Sequence, residues 1–478
     1  MARPIPVADL VFLLIDRAEA PANVGIALVF EPPPGTSSDK ALRAVLRAYR
    51  AAQPTSPFDV VPEVPPLGVP HWVAHGRADM KQHVRRETLP PPGSLRQLNE
   101  RLAELHRDRF DRSRPLFEIH LIDGLASGQF VLYIKSHHAC WDGHSAAARI
   151  FGSLSTEPGP LLTGFHALPP AEPPESPDAA GGLRSLMTHA LALKELYAQV
   201  TSRITALRAA PGRSRGNTPF AGPHTRLNQR VVAERSVAQF SLPLEEMRRG
   251  GHAFGGPIND VLLAVTDDGV RRYLRDLGER PAEPLVAMCP VSVRTPGDFE
   301  AGTKASTMFV RLAGPGRGAA RRLTEIVASS AAAKAEFRSM SKEATIDFAL
   351  LAFGLWLTSD VFGLAAFTRP VVNFVVSNVG GIKGARYLGR SRLVGTFPIS
   401  MVADPAGLNF TSFSHDGRMD VGIIANRAAV PDAESLARHC LAAWQQLRRA
   451  KPPQDLTLRK PPARKPSRTR RMPASQRP

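Results

Sequence analysis

The sequence predicts an α/β protein folded as two lobes, and three observations carry that expectation. Short runs rich in β-branched and aromatic residues alternate with helical patterns along much of the chain. At 478 residues the chain is too long for one ordinary core and suits two domains of about 200 residues each. Between the halves, prolines 158, 160, 169, 170, 173, 174 and 177 crowd residues 157–182, a stretch that reads as linker and not as core.

In the first half, Val24–Phe30 reads as a strand, stopped by Pro32-Pro33-Pro34-Gly35. Asp39–Ala52 and Leu95–Asp111 carry helical patterns. Phe117–Ile122 and Gln129–Lys135 read as paired strands about the Asp123-Gly124 turn, and Ser145–Leu154 opens the next helix. Leu183–Leu207 lacks glycine and proline and predicts a long helix that bridges the halves.

The second half opens with a strand at Ser236–Leu242. Ile258, Val261, Leu262, Val265, Tyr273 and Leu277 then mark one face of a helix. Strands follow at Leu285–Val293 and Val371–Ser377. A meander over Pro398–Val402, Leu408–Ser414 and Met419–Ala425 precedes a closing helix at Asp432–Arg449. The expected division is a first lobe at 1–156, a linker, bridging helix and crossover at 157–230, a second lobe at 231–450, and a tail at 451–478.

Composition excludes several classes. A hydrophobic content of 43% belongs to a folded chain. Val7–Ile15 is too short for a signal peptide, is broken by Asp9 and lacks a cleavage site. The most lipid-like stretch, Phe348–Phe367, is interrupted by Asp360, which argues for a buried or surface-dipping helix over a span. Cys140, Cys289 and Cys440 are odd in number and widely spaced, which fits a reducing cytoplasm and not a disulfide framework.

The net charge of +18 is partly local. The tail holds nine basic residues against Asp455 alone, so +8 sits there and +10 is left for the folded body. Its seven prolines deny it a helix, and a solvated arm is expected. Such an arm serves solubility or adheres to anionic headgroups, at about 1 kcal/mol per basic residue near the surface. Nucleic acid is a poorer partner, because no aromatic residues interleave with the arginines.

The most informative stretch is Lys135-Ser136-His137-His138-Ala139-Cys140-Trp141-Asp142-Gly143-His144-Ser145. It lies between an expected strand and an expected helix, where a rigid scaffold presents a loop to a cleft. Imidazole takes and returns a proton near neutral pH, so the paired histidines point to general acid–base work. A histidine in such a turn also serves as mere structural support. Because successive strand side chains alternate faces, His137 and His138 are expected to point apart.

The pattern HHxxxDG resembles the motif shared by chloramphenicol acetyltransferase-like enzymes and peptide-synthetase condensation domains. The whole chain most resembles the bacterial wax ester synthase/diacylglycerol acyltransferase family. Arg114-Pro115-Leu116-Phe117 is similar to that family's PLW segment, with Phe in place of Trp. Asn259-Asp260, Pro290-Val291-Ser292-Val293-Arg294 and Ser377-Asn378-Val379-Gly380-Gly381 look like three further signatures, in family order. Ala8-Asp9 and Ala22-Asn23-Val24-Gly25 match the opening segment, although Met-His is expected at Ala22-Asn23.

The resemblance implies two chloramphenicol acetyltransferase-like lobes around a central tunnel with the histidines near its middle. It also implies transfer of a long-chain acyl group from acyl-CoA to diacylglycerol or a long-chain alcohol, without an acyl-enzyme, metal or prosthetic group. His138 is then the general base and His137 a hydrogen-bonded support. Asp142 orients the base or forms a salt bridge that holds the loop, with Arg294 as its partner. Gly143 supplies a backbone conformation that other residues resist. Asn259 and Asp260 cap a helix that faces the cavity. Ser377, Asn378, Gly380 and Gly381 end a strand in a tight turn where substrate contact competes with simple turn geometry.

Insoluble products place such an enzyme in the cytoplasm, held peripherally at the inner membrane face or at lipid inclusions. Oligomeric state is not encoded legibly. Competing assignments are a Cys140 nucleophile, a metal site from His137, His138, Asp142 and His144, transfer to another small acceptor, and a noncatalytic lipid-binding protein.

Overall fold

The computed structural model describes residues 2–65, 68–169, 217–292, 305–339, 369–404 and 406–452. The expected bridging helix, Phe348–Phe367, Arg294 and almost all of the basic tail lie outside the described residues.

Two six-stranded sheets organise the molecule. The first runs, in spatial order, Tyr387–Leu388, Ser391–Ile399, Asn23–Glu31, Phe130–His137, Phe117–Asp123 and Val84–Thr88. The second runs Ala305–Arg311, Val286–Ser292, Phe374–Ile382, Leu408–His415, Arg418–Asn426 and Arg235–Pro243. A three-stranded sheet of Arg3–Pro4, His71–Ala74 and Val60–Glu63 flanks the first. Phe130–His137 is buried at every position because neighbours pair with it on both sides and both faces are covered.

The expected meander is corrected. Leu408–His415 and Arg418–Asn426 do form a hairpin, whose two-residue turn places Asp416 and Gly417 at φ 44° and 79°. The preceding strand, however, is Ser391–Ile399, and it pairs with Asn23–Glu31 in the first sheet. It crosses the second sheet so closely that a Cβ on Gly422 would lie 1.7 Å from the carbonyl oxygen of Pro398. Only glycine permits that approach. The two sheets are therefore not two consecutive stretches of chain.

The helices are built from ordinary local signals. Ser94 and Gln97 form a capping box that starts the Leu95–Arg107 helix. Leu98 and Leu102 of that helix join Val131 and Tyr133 of the first sheet with Val237 and Ile424 of the second in one apolar cluster. Each such leucine contributes about 1.5–3 kcal/mol when fully buried, so this cluster bonds the lobes. Ala319–Ser339 escaped the sequence because it is alanine-rich and weakly amphipathic, yet Leu323, Ile326 and Ala333 bury one side of it.

Part of the expected linker is core. Phe165 and His166 are buried in a 3-10 turn, and Phe165 packs on Phe58 and Trp141 with ring centroids 5.7 and 5.8 Å away. Prolines 158 and 160 thus begin an extended segment that ends in the first core, because one aromatic anchor outweighs the loop-like composition around it.

Candidate active site

The buried strand Phe130–His137 delivers the histidine pair to the seam between the sheets. His137 closes the strand, its N–H bonded to the carbonyl of Leu116 at 3.0 Å. His138 begins the turn, its N–H bonded to the carbonyl of Ala22 at 2.8 Å. Both main-chain anchors come from neighbouring elements of the same sheet, so the turn is fixed from two sides.

The two rings have different surroundings. His137 is 1% exposed, and its Nδ1 accepts the N–H of Ala139 at 3.1 Å. Burial lowers its pKa to about 3, against the opposing pull of Asp16, while Arg112, His138 and Arg109 push the same way as burial. His138 is half-buried, and the ring of Phe12 stacks on it with centroids 3.9 Å apart and planes 11° from parallel. Burial also lowers the pKa of His138, opposed by its own main-chain carbonyl and by Asp142. Both imidazoles are therefore neutral at physiological pH, the state a proton acceptor needs.

Asp142 caps the Gly143–Gly152 helix. Its Oδ1 accepts the N–H groups of His144 at 3.1 Å and Ser145 at 2.9 Å, and Ser145 completes a capping box. Arg294, its expected partner, lies outside the described residues.

Gly143 is a correction. It carries no positive φ and opens the helix. What it supplies is room: a Cβ there would stand 3.1 Å from Cγ1 of Val379. Val379 belongs to the Phe374–Ile382 strand of the second sheet and packs against the first core. The Ser377-Asn378-Val379-Gly380-Gly381 segment thereby meets the histidine turn. Gly380 has φ 102°, and a Cβ on Gly381 would lie 2.4 Å from the carbonyl oxygen of Ser414, so both glycines are set by backbone geometry.

Asn259 and Asp260 are corrected as caps. The N-cap of the Ile258–Asp276 helix is Pro257, and no side chain caps that end. Pro257 has no side-chain acceptor for the first N–H groups of the helix; its carbonyl takes the Asp260 N–H at 3.0 Å, and the Asp260 side chain is buried instead. It is 1% exposed, raised in pKa by burial, and paired with Lys334 at 3.4 Å. Asp142, not Asp260, is the carboxylate whose charge opposes the effect of burial on His138.

Burial pushes the Cys140 thiol up to about 12, which disfavours the thiolate that a nucleophile needs. Among the described residues, no three His, Cys, Asp or Glu side chains are grouped to hold a metal ion.

Sequence reasoning missed Phe12 and the ion cluster behind His137. Asp16 lies 3.9 Å from Nε2 of His137 and pairs with Arg109 at 2.8 Å and Arg112 at 3.1 Å. No periodicity marks them, since they meet only in the fold. The one available signal was an isolated acid closing the apolar run Val7–Ile15.

Two sheets joined at a seam, with a histidine turn at a strand end there, define the chloramphenicol acetyltransferase-like class of fold. Known proteins agree. Residues 6–262 match the wax ester synthase/diacylglycerol acyltransferase catalytic domain, and residues 301–448 match the C-terminal domain of the same family. A Mycobacterium tuberculosis protein named putative diacylglycerol O-acyltransferase is 32% identical, covering 92% of this chain and 98% of its own length. The solved wax ester synthase/diacylglycerol acyltransferase from Marinobacter aquaeolei is similar at a TM-score of 0.76 and 27% identity, over 93% of this chain and 98% of that one. The first condensation domain of the calcium-dependent antibiotic synthetase shares the fold at a TM-score of 0.57 and 17% identity, over 94% and 96% of the two chains. The chain belongs to the wax ester synthase/diacylglycerol acyltransferase family, and it is an acyltransferase.

Proposed function

We propose that the enzyme transfers a long-chain acyl group from acyl-CoA to the free hydroxyl of diacylglycerol, forming triacylglycerol, with His138 as general base. The observation that carries this is the imidazole of His138, anchored by Ala22 and stacked on Phe12 at the seam where Val379 of the other sheet meets the same turn.

In the proposed reaction, His138 takes the acceptor hydroxyl proton as that oxygen attacks the thioester carbonyl. The C–O bond forms, the C–S bond breaks, and His138 returns the proton to the departing thiolate of CoA. The raised pKa of Cys140 favours direct transfer in a ternary complex. The basic balance of the chain suits a donor whose phosphates are anionic.

Diacylglycerol is preferred as acceptor because relatives at 31–32% identity carry that activity in their names. A long-chain alcohol is the second acceptor, favoured by the dual name of the Marinobacter enzyme. Among the described residues no helix is long and apolar enough to cross a membrane. We place the enzyme peripherally at a cytoplasmic membrane face or lipid inclusion, held by apolar surface and basic residues. Leu14, 62% exposed on the apolar Val7–Ile15 helix, supports that placement.

Incubation with labelled palmitoyl-CoA and either dipalmitoylglycerol or hexadecanol tests the acceptor. Triacylglycerol as the main product supports the proposal. Wax ester alone reverses the acceptor preference, and no ester from either acceptor sinks both assignments.

A further inference from the structure

The first helix and the acid that ends it sit directly against both histidines. Phe12 covers the face of His138, and Asp16 follows four residues later with its side chain 2% exposed. Oδ1 of Asp16 accepts the N–H of Ala22 at 3.0 Å. The carbonyl of that same Ala22 receives the N–H of His138. Oδ2 accepts from Arg109 at 2.8 and 3.1 Å and from Arg112 at 3.1 Å.

The second link runs through His137. Because its Nδ1 accepts the Ala139 N–H, the proton of the neutral ring is placed on Nε2. That atom is buried, has no hydrogen-bond partner among the described residues, and lies 3.9 Å from Oδ2 of Asp16. The separation is too long for a direct hydrogen bond, so the attraction is electrostatic, in a site sealed from solvent. Burial alone would raise the Asp16 carboxyl, but Arg109, His137 and the Ala22 N–H outweigh it and hold it below the usual range. The charge facing Nε2 is therefore permanent at physiological pH.

We propose that Asp16 is a positioning residue for the acyl transfer, fixing the ring of His137 through its charge and the main chain of His138 through Ala22. Asp16 touches neither substrate nor the moving proton; it acts through the histidines. The inference rests on His138 as the base.

Asp16→Asn tests it in the full chain, with palmitoyl-CoA and dipalmitoylglycerol. The amide still accepts from Ala22 but loses the charge. Misplacement of reacting groups by about 1 Å costs on the order of 10²-fold, so kcat is expected to fall by about that factor with KM for palmitoyl-CoA unchanged within about twofold. Asp16→Glu restores part of the rate. In a His137→Ala background the same substitution adds less than about threefold, because its route is gone.

Retention of wild-type kcat by Asp16→Asn overturns the proposal, as does an equal loss with and without His137, which would mark a general effect on folding. Should Asp16→Asn fail to fold, Asp16→Glu decides alone: reduced kcat at constant KM supports the proposal and unchanged kcat overturns it. A His138→Ala control separates the two assignments. If that variant stays active, the base is wrong; if it is inactive while Asp16→Asn is fully active, only the role of Asp16 fails.

Discussion

Val379 closes on Gly143 across the seam between the sheets, so near that a Cβ on the glycine would stand 3.1 Å from Cγ1 and 3.2 Å from Cγ2. The residue beside the motif aspartate is thus a point of contact between the lobes. Gly143→Val should lower activity about tenfold or more by displacing the turn, since overpacking costs typically about 1–3 kcal/mol. Trimming the neighbour in a Gly143→Val/Val379→Ala double variant should recover most of it. Assays of the two single variants and the double variant check this, and additive losses would show that the contact is not what matters.

The pH dependence follows from His138. Its pKa is lowered from 6.5 by burial, and a base works only when unprotonated. Activity should be full above the shifted value and fall as pH drops through it, so the acid limb of kcat/KM lies below pH 6.5. A midpoint above 6.5 would contradict the environment described for the ring.

Stability should also fall with acid, from different residues. His106 and His137 are held near 3 and His166 near 4, each by burial first. Their unfolded-state value is 6.5, so below it the unfolded chain binds more protons than the folded one. The stabilisation is complete above pH 6.5 and declines toward pH 4, by roughly 1.4 kcal/mol per pH unit per histidine. Glu87 and Glu118, held near 2, lose their contribution only below their ordinary 4.5. Thermal melts between pH 7 and 4.5 should show Tm falling, and His166→Gln should flatten that slope.

Lys135, 0% exposed on the same strand as the histidines, pairs with Glu118 at 3.3 Å and stands 4.5 Å over the ring of Phe110. Burial lowers its pKa, with Glu118 opposing. Removing one partner strands a buried charge, at a cost of about 3–5 kcal/mol. Glu118→Gln should therefore lower stability in denaturant titration more than Lys135→Met, which leaves Glu118 partly exposed and still 3.2 Å from Nε2 of His120. Equal losses would mean that packing and not charge governs the site.

Much of the fold was legible locally. Phe117–Asp123, Phe130–His137 and the Asp416-Gly417 hairpin carry their own β-branched runs and turn residues, and the histidine turn sits where strand gives way to helix. Ser391–Ile399 was not legible as a partner of Asn23–Glu31, because a pairing across the whole chain leaves no mark in either segment. Asp16 and Phe12 were missed for the same reason: their meaning is spatial. Gly143 was noticed for the wrong property, since positive φ and close approach both select glycine and only coordinates separate them. Asn259-Asp260 look like a cap in sequence, but Pro257 had already taken that position.

The central claim is that His138 is the base of an acyl transfer to a lipid hydroxyl. Release of free CoA thiol from palmitoyl-CoA, followed with and without dipalmitoylglycerol for wild type and His138→Ala, tests it most directly. Acceptor-dependent release in the wild type that falls by about 10²-fold or more in the variant is the predicted result. Equal acceptor-dependent release from both proteins would contradict it.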